Sequence, residues 1–237
     1  MASKRLVGKA LIELHGKPLL QRVCNRVRGS QLADEVMVAT SERPEDDPIA
    51  ESCQEWGITV FRGQEKDLTT RLLGAVHAKN LDGFVRVTGD NPLTDPDGID
   101  EMIDRFLHAC NAADDGLVIH NMHRKGYPYG TGAEVISRSL LEWCNWELHS
   151  PDDRENFAQR AKRDPRFACV KLDAPGHLLR PQYFLTVDYN EDLYLQREIF
   201  GHFSDDNHMS LAQVIEFLDA NPKLATMNSH LHRQFPD

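Results

Sequence analysis

The chain has little cysteine, and none of it is arranged. Cys24, Cys53, Cys110, Cys144 and Cys169 are scattered over 237 residues, odd in number and without a C-x-x-C pair. That pattern excludes a disulfide framework and a zinc knuckle; reduced thiols in a cytoplasm are the expected state. No apolar run approaches the roughly 20 residues a membrane-spanning helix needs. An excess of positive charge is also missing: 27 Lys and Arg stand against 37 Asp and Glu, a formal net charge of −10. A nucleic-acid polymer and an anionic membrane are therefore excluded as partners, whereas a small anion held by a local basic cluster is not. No G-x-G-x-x-G follows a strand pattern, which removes a dinucleotide-dependent dehydrogenase. Internal repeats and low-complexity segments are absent.

What is present is enough apolar residue, 41%, for a core of one large domain. The most informative stretch is Phe84-Val85-Arg86-Val87-Thr88-Gly89-Asp90-Asn91-Pro92-Leu93-Thr94-Asp95-Pro96. Residues 84–87 read as a short buried strand. Gly89 breaks it, Pro92 forbids further ladder pairing, and Asp95 with Pro96 supply an N-cap and first helical residue. Asp90 thus stands beyond the carboxyl end of a strand, where open α/β sheets bind ligands; the plainer alternative is a turn aspartate bonded to its own backbone. Asp188 repeats the arrangement after Phe184-Leu185-Thr186-Val187. Two carboxylates at one sheet edge repel unless a cation lies between them. With Mg²⁺ they form a hard-oxygen ligand pair that leaves room for water and phosphate oxygens.

The rest of the chain alternates in the same manner. Helices are expected after Pro18 to Gly29, over 49–56, 67–79 and 96–110, with strands at 35–40 and 58–61. The second half offers strands at 117–119, 133–137, 168–172 and 183–187, and a loop or lid over 120–132 holding His120 and His123 as loop histidines. A capping box at Ser139 and Glu142 should start one helix, Ser150-Pro151 another reaching Arg163, and Ser210 with Gln213 a last one ending near Ala220. The expected fold class is α/β, a mostly parallel sheet with helices on both faces. One domain should span residues 1–222, and 223–237 should be a polar tail in which His230 and His232 are solvated. Near the start, Lys4, Arg5 and Lys9 flank Gly8 in a loop able to wrap an anion, or else in a solvated terminus.

Taken in order, Ser3-Lys4-Arg5-Leu6-Val7-Gly8-Lys9, Gly16-Lys17-Pro18-Leu19, Val38-Ala39-Thr40, Phe61-Arg62-Gly63, Arg86-Val87-Thr88-Gly89-Asp90-Asn91-Pro92 and Leu185-Thr186-Val187-Asp188 resemble the sugar cytidylyltransferases. That group includes the acylneuraminate and 3-deoxy-manno-octulosonate enzymes. Tyr127-Pro128-Tyr129-Gly130, Glu134 and Arg154-Glu155 are similar to its spore-coat polysaccharide branch, the F type. The resemblance implies a Rossmann-like nucleotide-diphospho-sugar transferase fold, with 118–165 as a sugar-side, lid or dimerisation segment of a homodimer. It implies transfer of CMP from CTP to an acidic or surface-polysaccharide sugar, with release of pyrophosphate. Arg5 and Lys9 would hold the triphosphate with Ser3 and Lys4 near them, and Lys17 and Arg71 would serve the nucleotide. Asp90 and Asp188 would hold Mg²⁺; with Arg5 and Lys9 they make the catalytic set. Tyr127, Glu134, Arg154 and Glu155 would line the sugar side. Structural alternatives stay open for each: Lys17 a surface lysine, Arg71 paired with Asp67 one turn earlier, Arg154 and Glu155 a solvated helix face, Tyr127 packed under its loop.

Two departures from the pattern matter. The family has an apolar strand before the Ser-x-Arg loop, and Met1 stands where that strand should have ended; Val7 replaces a proline before Gly8. The strands at 36–39 and 84–87 are therefore expected to flank a vacant central position, with an upstream extension of the reading frame supplying the strand. The alternatives are a truncated, non-catalytic nucleotide-binding paralogue and a related nucleotide-sugar glycosyltransferase.

Overall fold

The computed structural model describes residues 6–110, 116–123, 125–203 and 209–232. After a 3₁₀ turn over Lys9–Leu11 comes a tight hairpin, β1 (Glu13–Leu14) and β2 (Lys17–Pro18), which runs into helix α1 (Leu19–Val27). His15 and Gly16 turn it with φ of 47° and 84°, a left-handed pair suited to a two-residue hairpin loop. The buried Arg22 guanidinium fastens it by donating to the Leu14 carbonyl at 3.0 and 2.7 Å.

Strand and helix then alternate as the hydrophobic periodicity predicts: β3 (Met37–Ser41), α2 (Asp47–Glu55), β4 (Thr59–Gly63), α3 (Leu68–Ala78), β5 (Gly83–Arg86) and α4 (Pro96–Cys110). Asp95 caps α4 by accepting from Gly98 N at 3.1 Å. The second half adds β6 (Leu117–His120), β7 (Glu134–Ser137), α5 (Arg138–Glu147), α6 (Pro151–Glu155), α7 (Phe157–Ala161), β8 (Ala168–Lys171), α8 (Asn190–His202), α9 (Leu211–Ala220) and α10 (Pro222–Ala225).

The α/β architecture holds. β3 and β4 pair in parallel, and a second sheet has the order β5-β7-β6-β8. That sheet is mixed: β7 runs antiparallel to both β5 and β6, while β6 and β8 are parallel. Residues of one strand divide between two cores. Phe84, Val118 and Ile136 face the cluster under α5 and α7, whereas Val85, Ile119 and Val135 face the cluster under α4. Helices on both faces explain why β6 and β7 are buried throughout. Among the described residues β3 and β5 do not pair with each other, and β4 and β5 are only half-buried along their lengths.

Several expectations are corrected. The cap of α5 is Ser137, which accepts from Leu140 N; Ser139 lies inside the helix. Residues 151–163 break at Asn156 into α6 and α7. Residues 183–187 form no regular strand: a single bridge joins Tyr129 to Phe184, and Leu185 N and Val187 N donate to the carbonyls of Tyr129 and Asp90. Gly130 permits that approach. Its φ is 90°, and a Cβ there would lie 2.2 Å from Thr186 N. His120 ends β6 and is buried, where burial lowers its pKa to about 4. The C-terminal segment is not solvated as a whole: Ala225 and Asn228 are buried, and His232 packs among aromatic rings.

Candidate active site

Two chain reversals bring Asp90 and Asp188 together. Asp90 follows β5 in a turn closed by Asn91 N on the Thr88 carbonyl. Asp188 precedes α8, and the Val187 N to Asp90 O bond of 2.9 Å ties the two segments side by side. A third segment supplies the cation. Gly8, at φ 69°, turns the chain into a 3₁₀ turn over Lys9–Leu11, and Leu6 anchors it in the core. Lys9 Nζ then donates to Asp90 Oδ2 at 2.8 Å and to Asp188 Oδ1 at 3.1 Å. Burial works against the charge on Lys9, but the Asp90 and Asp188 carboxylates outweigh it and raise the ammonium pKa.

Asp188 is held from behind. Asp192 Oδ2 accepts from the backbone N–H groups of both Asp188 and Tyr189 at 2.8 Å. Asp192 was not singled out from the sequence. An acid four residues after Asp188, in the first turn of a helix, was the available signal.

Beside the lysine loop lies a cavity of about 590 Å³, lined by Val7, Ala39, Thr40, Ser41, Arg43 and Arg71 among others. It opens beyond the carboxyl end of β3. Arg71 donates to the carbonyls of Gln64 and Glu65, not to Asp67, and burial lowers its pKa. Lys17 sits on β2 at the hairpin. Ser3, Lys4 and Arg5 lie outside the described residues.

The four residues expected on the sugar side are dispersed. Glu134, 1% exposed, accepts from Arg86 at 3.0 Å and pairs with Lys162. Burial alone would raise its pKa, but Lys162 and Arg86 lower it. Arg154 clamps three elements, bonding the carbonyls of Asn145 and Leu148, Thr70 Oγ1 and the Asp67 carboxylate. Tyr127 is buried, its ring against Gly98 at the start of α4. Glu155 is exposed, and its charge acts on Arg71.

The carboxylate pair suits a hard divalent cation. Both oxygens already converge on one cationic nitrogen, and oxygen donors are what Mg²⁺ takes. Among the described residues no cluster of three or more His, Cys, Asp or Glu side chains assembles for a metal; the remaining ligands of such an ion would be water and phosphate oxygens. No helix among the described residues is long and apolar enough to cross a membrane.

Comparison with known proteins gives the family. Residues 1–165 match the family model described as cytidylyltransferase. The chain is 33% identical over 233 residues to an uncharacterized protein of Methanocaldococcus jannaschii, MJ1063, covering 98% of this chain and 92% of that protein. It is 30% identical over 232 residues to the spore coat polysaccharide biosynthesis protein SpsF of Bacillus subtilis, covering 95% and 93%. In structure it resembles a cytidylyltransferase from Leptospira borgpetersenii, with a TM-score of 0.85, 28% identity, and coverage of 95% of this chain and 93% of that one.

Proposed function

The chain belongs to the cytidylyltransferase family and is a nucleotidyltransferase, and from that premise we propose that it transfers CMP from CTP to a sugar hydroxyl, releasing pyrophosphate, with Mg²⁺ as the metal. The observation that carries this reading is the convergence of Asp90 and Asp188 on Lys9 Nζ at 2.8 and 3.1 Å. Phosphoryl transfer asks little covalent help of a protein; positioning and neutralisation of charge do most of the work. Asp90 and Asp188 would hold the metal, which when bound supplies positive charge that polarises the α-phosphate and favours the ionised form of the attacking hydroxyl. Lys9, on its own short loop, faces the triphosphate; Arg5 and Lys4 extend the same basic segment. The cavity lined by Val7, Ala39 and Arg71 takes the nucleoside. The sugar oxygen then forms a bond to the α-phosphorus as the bond to pyrophosphate breaks.

The sugar is assigned to surface-polysaccharide chemistry, on the strength of the SpsF relative's name. Of the four sugar-side residues, Glu155 is the exposed one. We retain it for substrate and give Glu134 and Arg154 the task of holding the scaffold. The test is pyrophosphate release from CTP and from the other nucleoside triphosphates, with a panel of neutral and carboxylated sugars, with Mg²⁺ and with EDTA. Release that requires CTP, a sugar and Mg²⁺ together is the expected result. Release from a nucleotide-sugar donor, or none from any triphosphate, would contradict it. In the same assay Glu155→Gln should raise the KM for the sugar more than that for CTP.

A further inference from the structure

The C-terminal segment reaches back to the catalytic turn through one buried carboxylate. Asp192 is fully buried and its two oxygens divide the work. Oδ2 accepts the backbone N–H groups of Asp188 and Tyr189, both at 2.8 Å. Oδ1 accepts from Asn228 Nδ2 at 2.7 Å and from His232 Nε2 at 2.8 Å. Because a carboxylate oxygen only accepts, the Nε2 of His232 carries the proton of that bond.

The histidine itself is held by rings. It stacks on Phe184 with centroids 4.9 Å apart and planes 11° from parallel, meets Tyr189 edge-on at 5.6 Å, and lies 6.0 Å from Tyr129. Its side chain is 7% exposed. Asn228 also donates to the Phe184 carbonyl at 2.8 Å, so Asn228 by a hydrogen bond and His232 by stacking both hold the run that leads to Asp188.

We propose that His232 is a positioning residue for the metal-binding carboxylate: by fixing Asp192 it fixes the backbone of Asp188, and thereby the angle at which Asp188 meets the cation shared with Asp90. This rests on the reading of Asp188 as a metal ligand. Asp192 is the partner one step behind the ligand; such partners set metal affinity by about 10–100-fold, and His232 acts through it. A residue that only packs would change stability and leave affinity alone.

The two roles separate in a Mn²⁺ titration of the full chain without nucleotide, followed by electron paramagnetic resonance, with thermal unfolding measured alongside. His232→Phe keeps a stacked ring and loses the donor; it should weaken Mn²⁺ by about tenfold or more. His232→Gln keeps a donor and should stay within about threefold of the wild type. Phe184→Leu removes the stacking partner; it should lower the melting temperature and leave Mn²⁺ affinity within about twofold. Should His232→Phe not fold, His232→Leu, which likewise removes the donor and leaves an apolar side chain, carries the test with the same expected loss. A folded His232→Phe that binds Mn²⁺ like the wild type overturns the proposal, as does an equal loss in Phe184→Leu. A wild-type chain that binds no Mn²⁺ overturns instead the metal reading beneath it.

Discussion

At the scale of single residues, Lys9 does two things that pull against each other. Its ammonium keeps Asp90 and Asp188 from repelling, and it occupies the place a divalent ion would take between them. The folded pKa of Lys9 is raised above its ordinary value of 10.5. Its contribution to stability is therefore fully present below that value and is lost as pH rises through the folded pKa, so the lysine stays charged across the neutral range. Lys9→Met should then raise Mn²⁺ affinity in the absence of nucleotide while turnover falls by orders of magnitude. A parallel loss of both would show that Lys9 supports the ion instead of competing with it. Glu134 behaves oppositely. Its pKa is lowered by Lys162 and Arg86, so its stabilisation is present above the unfolded carboxylate value of about 4.3 and is lost as pH falls through the folded pKa. Glu134→Gln leaves two cations facing a neutral group and should cost about 3–5 kcal/mol at pH 7 in urea unfolding. The difference from wild type should shrink at acid pH.

At the scale of elements, the repeating features were legible and the pairwise ones were not. Pro96 to Cys110 could be read as α4 because a capping aspartate, a first-turn proline and apolar spacing agree. Asp90 could be read as a carboxylate beyond a strand from the apolar run before it, whereas the same pattern before Asp188 predicted a strand that is only a single bridge. Register between distant strands has no local signal. Arg86, Glu134, His120 and Lys171 stand directly opposite one another across β5, β7, β6 and β8, so Glu134 belongs to a buried ion pair that no spacing in the sequence announces. Arg154 is similar: three of its partners, Asp67, Thr70 and Asn145, sit on or beside other helices. The start of α5 is a sharper case. Ser139 and Glu142 have capping-box spacing, yet Ser137 Oγ takes the Leu140 N–H and also the Leu117 N–H at 2.9 Å. Ser137→Ala should cost about 1–2 kcal/mol, and Ser139→Ala, exposed on the helix, less than about 0.5 kcal/mol. The reverse order would restore the sequence-based cap.

At the scale of the whole molecule, three separate segments have to arrive at one point: the Gly8–Lys9 turn, the end of β5 and the run before α8. Their order along the chain was readable because each carries its own motif. The meeting of Asp90 and Asp188 was expected if both runs were strands of one sheet; residues 183–187 form only a single bridge, and the Val187 N to Asp90 O bond brings the two together instead. The interleaving of β7 between β5 and β6 was not readable, because an antiparallel neighbour has the same apolar pattern as a parallel one when both faces are covered. The support behind Asp188 was missed for another reason: Asn228 and His232 lie in a polar stretch whose composition suggests solvent, and only the fold brings them onto Asp192. All of this places the weight on one claim, that Asp90 and Asp188 act as a pair on one cation. The most direct measurement is a double-mutant cycle on Mg²⁺-dependent pyrophosphate release, with Asp90→Asn, Asp188→Asn and the two combined. Residues that act as a unit are grossly non-additive. Each single variant should lose turnover by about a hundredfold or more, the melting temperatures should stay close to wild type, and the double variant should be no slower than the worse single. Wild-type turnover in either single variant, or losses that multiply in the double, would contradict a shared site.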